Sequence, residues 1–175
     1  MKNGLIQVYT GDGKGKTTAA FGMAFRAHGR GFKVAVVQFM KSWVTGELML
    51  AEKLENFDVT RIDTSPKFTW EMNEEELADL KSTIRAGFEK VKNLVLQGNY
   101  DMVIMDEFNH ILVQGFVTKD EVMAFLDAKP ETVELVMTGR NAPDWLMERA
   151  DLVTEMKCIK HPYEKGIPAR VGIEK

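Results

Sequence analysis

Cysteine is almost missing from this sequence. Cys158 stands alone among 175 residues, so no internal disulfide can form, which fits a reducing, cytoplasmic setting. Long apolar runs are missing as well: none approaches the roughly 20 residues that a bilayer span needs, and the amino end shows no signal-peptide pattern. Charge of one sign is scarce. With 23 basic and 26 acidic residues the formal net charge is −3, which gives neither nucleic acid nor an anionic membrane an electrostatic reason to bind. Repeats, low-complexity tracts and linker-like stretches are absent too. What is present, 45% hydrophobic and 28% charged residues, suffices for one globular domain over residues 1–175.

Short apolar runs alternate with helical patterns along the chain. Leu5 to Tyr9 reads as a strand and leads straight into Gly11-Asp12-Gly13-Lys14-Gly15. Lys16 to His28, rich in alanine and free of proline, predicts a helix stopped by Gly29 and Gly31. Val34-Ala35-Val36-Val37 lacks polar alternation, so Lys33 to Met40 is predicted as a strand buried on both faces. Asp101 to Met105 and Val133 to Met137 are further strands, with weaker ones at Val59 to Ile62 and Leu152 to Ile159. Leu77, Leu80, Ile84, Phe88, Val91 and Val95 recur at helical spacing, which predicts a helix over Glu74 to Leu96 capped by Asn73. Thr118 to Ala128 and Pro143 to Arg149 are shorter helices. This alternation predicts an α/β three-layer fold with a mostly parallel central sheet flanked by helices. Such sheets take ligands beyond the carboxyl ends of their strands. Gly11 to Lys16, Lys41 to Gly46, Asp106 to His110 and Thr138 to Asn141 should therefore line one rim.

The chemistry gathers on Gly11 to Thr18. A strand, a glycine-rich loop and a helix in that order form the setting of a P-loop, and hence of a P-loop NTPase-like (RecA-like) fold. Glycines let backbone N–H groups approach a triphosphate, and the helix directs its positive end at the same anion. Gly11, Asp12, Gly13, Lys14, Gly15, Lys16, Thr17 and Thr18 are the candidate ATP-binding residues. Lys16 adds a full charge, and the Thr17 hydroxyl is a candidate magnesium ligand. The spacing is not the common one. Five residues before Gly15 stands Thr10, and Gly11 comes one residue late.

Asp106-Glu107 follow the apolar run Met102 to Met105, where one or both carboxylates would hold the metal, directly or through water. A glutamate so placed activates water in ordinary NTPases, so the pair alone does not name the reaction. Arg140 ends another strand and has two readings, a phosphate neutraliser or a surface salt bridge. His110 is read as structural. Phe68 and Trp70 either stack on a flat ligand or fold back into the core.

Taken together these residues resemble the P-loop type of ATP:corrinoid adenosyltransferase, over nearly the whole chain. The resembling blocks are Thr10 to Gly22, Gln38-Phe39-Met40-Lys41, Phe68-Thr69-Trp70-Glu71, Asp106-Glu107, Thr138-Gly139-Arg140, Ala150 to Met156 and Lys160-His161-Pro162. The late Gly11 looks like that family's own shortened loop. The resemblance implies transfer of the 5′-deoxyadenosyl group of ATP, the co-substrate, to a reduced Co(I) corrinoid, with triphosphate as leaving group. It further implies Lys16, Thr17 and Glu107 as catalytic residues, and Mg2+ or Mn2+ held by Thr17, Asp106 and Glu107. Phe68 and Trp70 are implied as corrinoid-binding residues that displace the lower axial ligand and ease Co(II) reduction. Asp12 is implied near the nucleoside end. A reductase or reduced flavin as electron donor and a homodimer complete the expectation. The residues by themselves leave open a P-loop phosphotransferase or ATPase, or a nucleotide-dependent binding protein. Two departures stand out: Phe108-Asn109-His110 differs from the leucine- and tyrosine-containing family version, and the first strand begins almost at the amino end, where several family members carry a covering segment.

Overall fold

The structure, a computed structural model, describes residues 3–174 apart from 42, 63, 64, 66 and 68. Six strands form one sheet: β1 (Ile6–Thr10), β2 (Val34–Phe39), β3 (Phe57–Ile62), β4 (Met102–Asp106), β5 (Glu134–Thr138) and β6 (Leu152–Glu155). Their order across the sheet is β3-β2-β4-β5-β1-β6. Every pairing is parallel, so the predicted mostly parallel sheet is parallel throughout the described residues. The helices are α1 (Lys16–His28), α2 (Gly46–Ala51), α3 (Glu74–Leu96), α4 (Phe108–Val113), α5 (Lys119–Ala128) and α6 (Asp144–Arg149).

The unbroken apolar strands are explained by helices on both faces of the sheet. Val34 and Val36 of β2 pack with Ala20, Phe21 and Ala24 of α1. Ala35, Val37 and Phe39, on the opposite face, pack with Ile84, Phe88 and Val91 of α3 and Phe125 of α5. Two cores therefore sandwich one sheet, giving the expected three layers. Burying a side chain such as Phe88 contributes about 2–3 kcal/mol. The start of α3 is fixed by a capping box. The Glu76 amide donates to Asn73 Oδ1 at 2.9 Å and the Asn73 amide donates to Glu76 Oε2 at 3.0 Å. Such a cap is worth about 1 kcal/mol. Leu77, 38% exposed, stays out of the core, and the buried stripe of α3 begins at Leu80.

Three details differ from the sequence expectation. The last strand ends at Glu155 rather than Ile159, because the chain then turns over the glycine loop. Asp106 to His110 is only partly loop: Asp106 closes β4, and Phe108 already begins the six-residue helix α4. Helices this short carry too few turns to show a period, and α2 escaped detection for the same reason. The expected rim nevertheless forms. Because the strands are parallel, the carboxyl ends of β1, β2, β4 and β5 share one edge, with β5 standing between β1 and β4.

Candidate functional site

The loop after β1 is shaped by what lies over it. Gly11 has φ +95°, and a Cβ there would stand 2.4 Å from the Met156 carbonyl oxygen. A Cβ on Gly13 would meet the same oxygen at 2.7 Å. Met156 donates its amide to Thr10 O at 2.8 Å and accepts the Gly13 amide at 2.7 Å, so the strap after β6 is sewn to the loop. Gly13 therefore gives its N–H to the Met156 carbonyl. Gly15, at φ +118°, opens α1, whose first internal bond runs from Ala19 N to Gly15 O. The amides of Lys16, Thr17 and Thr18 are thus left by the helix and aimed out of its amino end, a ready anion site.

Lys16 is 8% exposed and bridges the loop, donating to Gly11 O at 2.6 Å and Gly13 O at 2.7 Å. An ammonium has three protons, so one remains for an anion. Burial lowers its pKa first, Arg140 adds to that, and the opposing carboxylates of Glu107, Asp12 and Asp106 raise it. The same interactions bring Asp12, Asp106, Glu107 and Arg140 within electrostatic reach of Lys16. Arg140 itself is exposed. Lys14 turns away, its ammonium on Ile173 O at 3.2 Å and Glu174 Oε1 at 3.1 Å.

Asp106 is fully buried and accepts four hydrogen bonds. Its Oδ1 takes the Thr17 hydroxyl at 2.9 Å and the Thr138 hydroxyl at 2.6 Å. Its Oδ2 takes the Gln38 amide at 2.9 Å and the Lys41 ammonium at 2.6 Å. Four donors fill the lone-pair sites of a carboxylate. Lys41 also donates to Thr17 Oγ1 at 3.0 Å, so one ammonium bridges two of the candidate metal ligands. Glu107, at φ +60°, hands its amide to Thr138 Oγ1 at 3.1 Å and leaves its half-buried carboxylate on the rim.

This donor set suits a hard divalent cation. Two carboxylates and a hydroxyl are oxygen ligands of the right kind, and a cation already bridges Thr17 and Asp106 in the form of Lys41. No group of three His, Cys, Asp or Glu that could hold a metal occurs among the described residues. The set therefore fits Mg2+ or Mn2+ completed by phosphate oxygens and water rather than an all-protein cage.

Comparison with known proteins decides the family. The sequence pattern described as ATP:corrinoid adenosyltransferase BtuR/CobO/CobP matches residues 2–174. The chain belongs to that family. A corrinoid adenosyltransferase of Sinorhizobium sp is 45% identical over 176 residues, covering 99% of this chain and 81% of its own length. Corrinoid adenosyltransferases of Escherichia coli strain K12 and Pseudomonas aeruginosa are 37% and 36% identical over 174 residues, covering 99% of this chain and 86% and 84% of theirs.

Set against the expectation for a family member, the structure brings Lys16, Thr17, Asp106, Glu107, Asp12 and Arg140 to one place. Trp70 stands 76% exposed in a short 3-10 helix, Thr69–Glu71, and so does not fold back into the core. Phe68 lies outside the described residues. Gln38, Lys41, Thr138 and Met156 lie in segments that the sequence singled out, but their roles as hydrogen-bond partners in the site were not assigned there. Gln38 and Thr138 had a signal, since a polar residue at the end of a buried strand needs a polar neighbour.

Proposed function

We propose that this chain forms the cobalt–carbon bond between a Co(I) corrinoid and the 5′ carbon of ATP. The electron pair of Co(I) makes the new bond, the C5′–O bond breaks, and its pair departs with the triphosphate. Co(I) is itself a strong nucleophile, so no protein base is needed, and the protein's task is to stabilise the leaving charge. Lys16 and the amides of Lys16, Thr17 and Thr18 hold the phosphates, with Arg140 neutralising charge at the rim. Thr17, Glu107 and Asp106 would hold Mg2+ or Mn2+, which when bound supplies further neutralisation of the departing oxygen. Asp12 stands by the nucleoside end. The corrin lies on Phe68 and Trp70, whose apolar faces displace the lower axial ligand and so ease reduction of Co(II) by a reductase or reduced flavin.

The observation that carries this reading is the family match over residues 2–174 together with a shortened P-loop tied to Asp106 through Thr17. Residues 1–175 would act as one domain in the cytoplasm; no helix of the described residues is long and apolar enough to cross a membrane. A homodimer is favoured by the edge strand β6, where Leu152 and Val153 are each 40% exposed. Sedimentation at several concentrations checks that assembly. The reaction is tested by incubating the protein anaerobically with ATP, Mg2+ and a chemically reduced corrinoid. Inorganic triphosphate and a light-sensitive adenosyl-cobalt product are expected. ADP with phosphate, or unchanged ATP, would overturn the reading.

A further inference from the structure

The bridge made by Lys41 has a consequence for how the site fills. We propose that Lys41 is the resident counter-ion of the divalent-cation site, holding Thr17 and Asp106 in the empty protein and leaving when cation and nucleotide enter. The inference rests on the reading of Thr17, Asp106 and Glu107 as ligands of that cation.

Three observations support it. The first is saturation: Asp106 has four donors, so a cation can reach its oxygens only where one donor withdraws. Gln38 and Thr138 are fully buried on interior strands, and Thr17, fixed in the first turn of α1, is itself a ligand in this reading. The Lys41 side chain is 16% exposed, comes from the loop beyond β2 and has a long flexible stem. It is the donor that can go.

The second observation is charge. A divalent cation and an ammonium within one hydrogen-bond length of the same Oδ2 repel, and in a site this buried water screens the repulsion poorly. They exclude each other. The third is the anchoring of the Lys41 backbone. Arg61 Nη2 donates to Lys41 O at 2.5 Å and to Trp43 O at 3.2 Å, and the Met40 amide bonds Ile62 O at 3.0 Å. Met40 itself sits at φ +50°, a left-handed turn that brings Lys41 back over the rim. The main chain is thus fixed and only the side chain swings. A triphosphate on the neighbouring loop offers the displaced ammonium a new anionic partner. Nucleotide thereby favours metal entry, and the cation alone competes with Lys41.

The test is Mn2+ binding to nucleotide-free protein, read from the electron paramagnetic resonance signal of free Mn2+, for wild type, Lys41→Met and Lys41→Gln. Glutamine keeps a hydrogen-bond donor for Asp106 while removing the charge, so it keeps the test valid should Lys41→Met fold poorly. Both neutral variants are expected to bind Mn2+ alone at least about tenfold tighter than wild type. Lys41→Arg, which keeps the charge, is expected to stay within about threefold of wild type. The melting temperature should also rise more on Mn2+ addition in the neutral variants than in wild type. Equal or weaker Mn2+ binding in both neutral variants would overturn the proposal while leaving the ligand assignment intact if ATP still recruits Mn2+ to wild type. Failure of every protein to bind Mn2+, with or without ATP, would remove the ligand assignment and this proposal with it.

Discussion

At the ends of β2, β4 and β5, Gln38, Asp106 and Thr138 are fully buried, and Asp106 has a donor at every lone-pair site. Around Trp70 and along the strap from Lys157 to Ile173 the chain is mostly exposed, with Trp70 at 76% and Tyr163 at 77%. Apart from the Lys41 side chain, the first region is held in place by its own hydrogen bonds, and groups arranged in advance are where electrostatic stabilisation gains most. The second mixes exposed apolar side chains such as Trp70, Ile159 and Tyr163 with charged ones, and little of it is held by the core. The two halves of the proposed reaction would thus be prepared differently: the leaving group's site is built in advance, and the cobalt substrate brings much of its own pocket.

The sharpest way to break that contrast is at Lys16. Lys16→Ala is expected to lower kcat/KM for ATP by about 10²–10³-fold, through loss of a buried charge-assisted contact. Steady-state kinetics with a pre-reduced Co(I) corrinoid isolates this effect from cobalt reduction. A loss of less than about fivefold would mean that the built region does not bear the triphosphate.

A smaller and more selective effect is expected on the exposed side. Trp70→Ala should reduce turnover from Co(II) corrinoid about tenfold, while the KM for ATP stays within about twofold. The melting temperature should hardly change, because a side chain 76% exposed contributes little to the core. Comparing Co(II) with pre-reduced Co(I) substrate decides the matter. Equal losses on both would assign Trp70 to binding alone, and no loss on either would end its assignment to the corrin.

Legibility in the sequence followed the same divide. The strands were readable because helices cover both faces, so Val34 to Val37 and Val103 to Met105 carry no polar alternation. Lys16 to His28 and Glu74 to Leu96 were found with their bounds intact, since composition and stop signals mark the first, and apolar helical spacing with an Asn73 cap marks the second. Asp106 was legible as a strand-end carboxylate. Its partner Lys41 was not, because a lysine beyond a strand looks solvated until folding lays it 2.6 Å from a carboxylate 65 positions away. Met156 was hidden for a different reason. It acts through its backbone, and no side-chain pattern reports a carbonyl that accepts the Gly13 amide. Trp70 was legible only as one of two alternatives, and exposure excludes the core.

The smallest expected effect lies outside both regions and sets the scale for surface charge in this fold. Arg85 of α3 pairs with Glu121 of α5 at 2.6 Å, and Glu121 Oε2 also accepts the Thr118 amide at 2.8 Å and its hydroxyl at 2.7 Å. Arg85 first, then Thr118, pull the Glu121 carboxyl down from its usual 4.5 to about 2. Between those two values the unfolded chain binds the extra proton while the folded one does not, so stability falls as pH drops through this window. Above it the contribution is fully present. The pair lies in solvent and is screened, so Glu121→Gln should lower the melting temperature at pH 7 by only about 1–3 °C. The difference from wild type should shrink as pH is taken from about 4.5 toward 2, and shrink again at pH 7 in high salt. Thermal scans along that pH series check the sign. A gap that widened toward acid would mean that the α3–α5 contact is held by packing rather than by charge, and that the surface here is built more like the rim than like the strap.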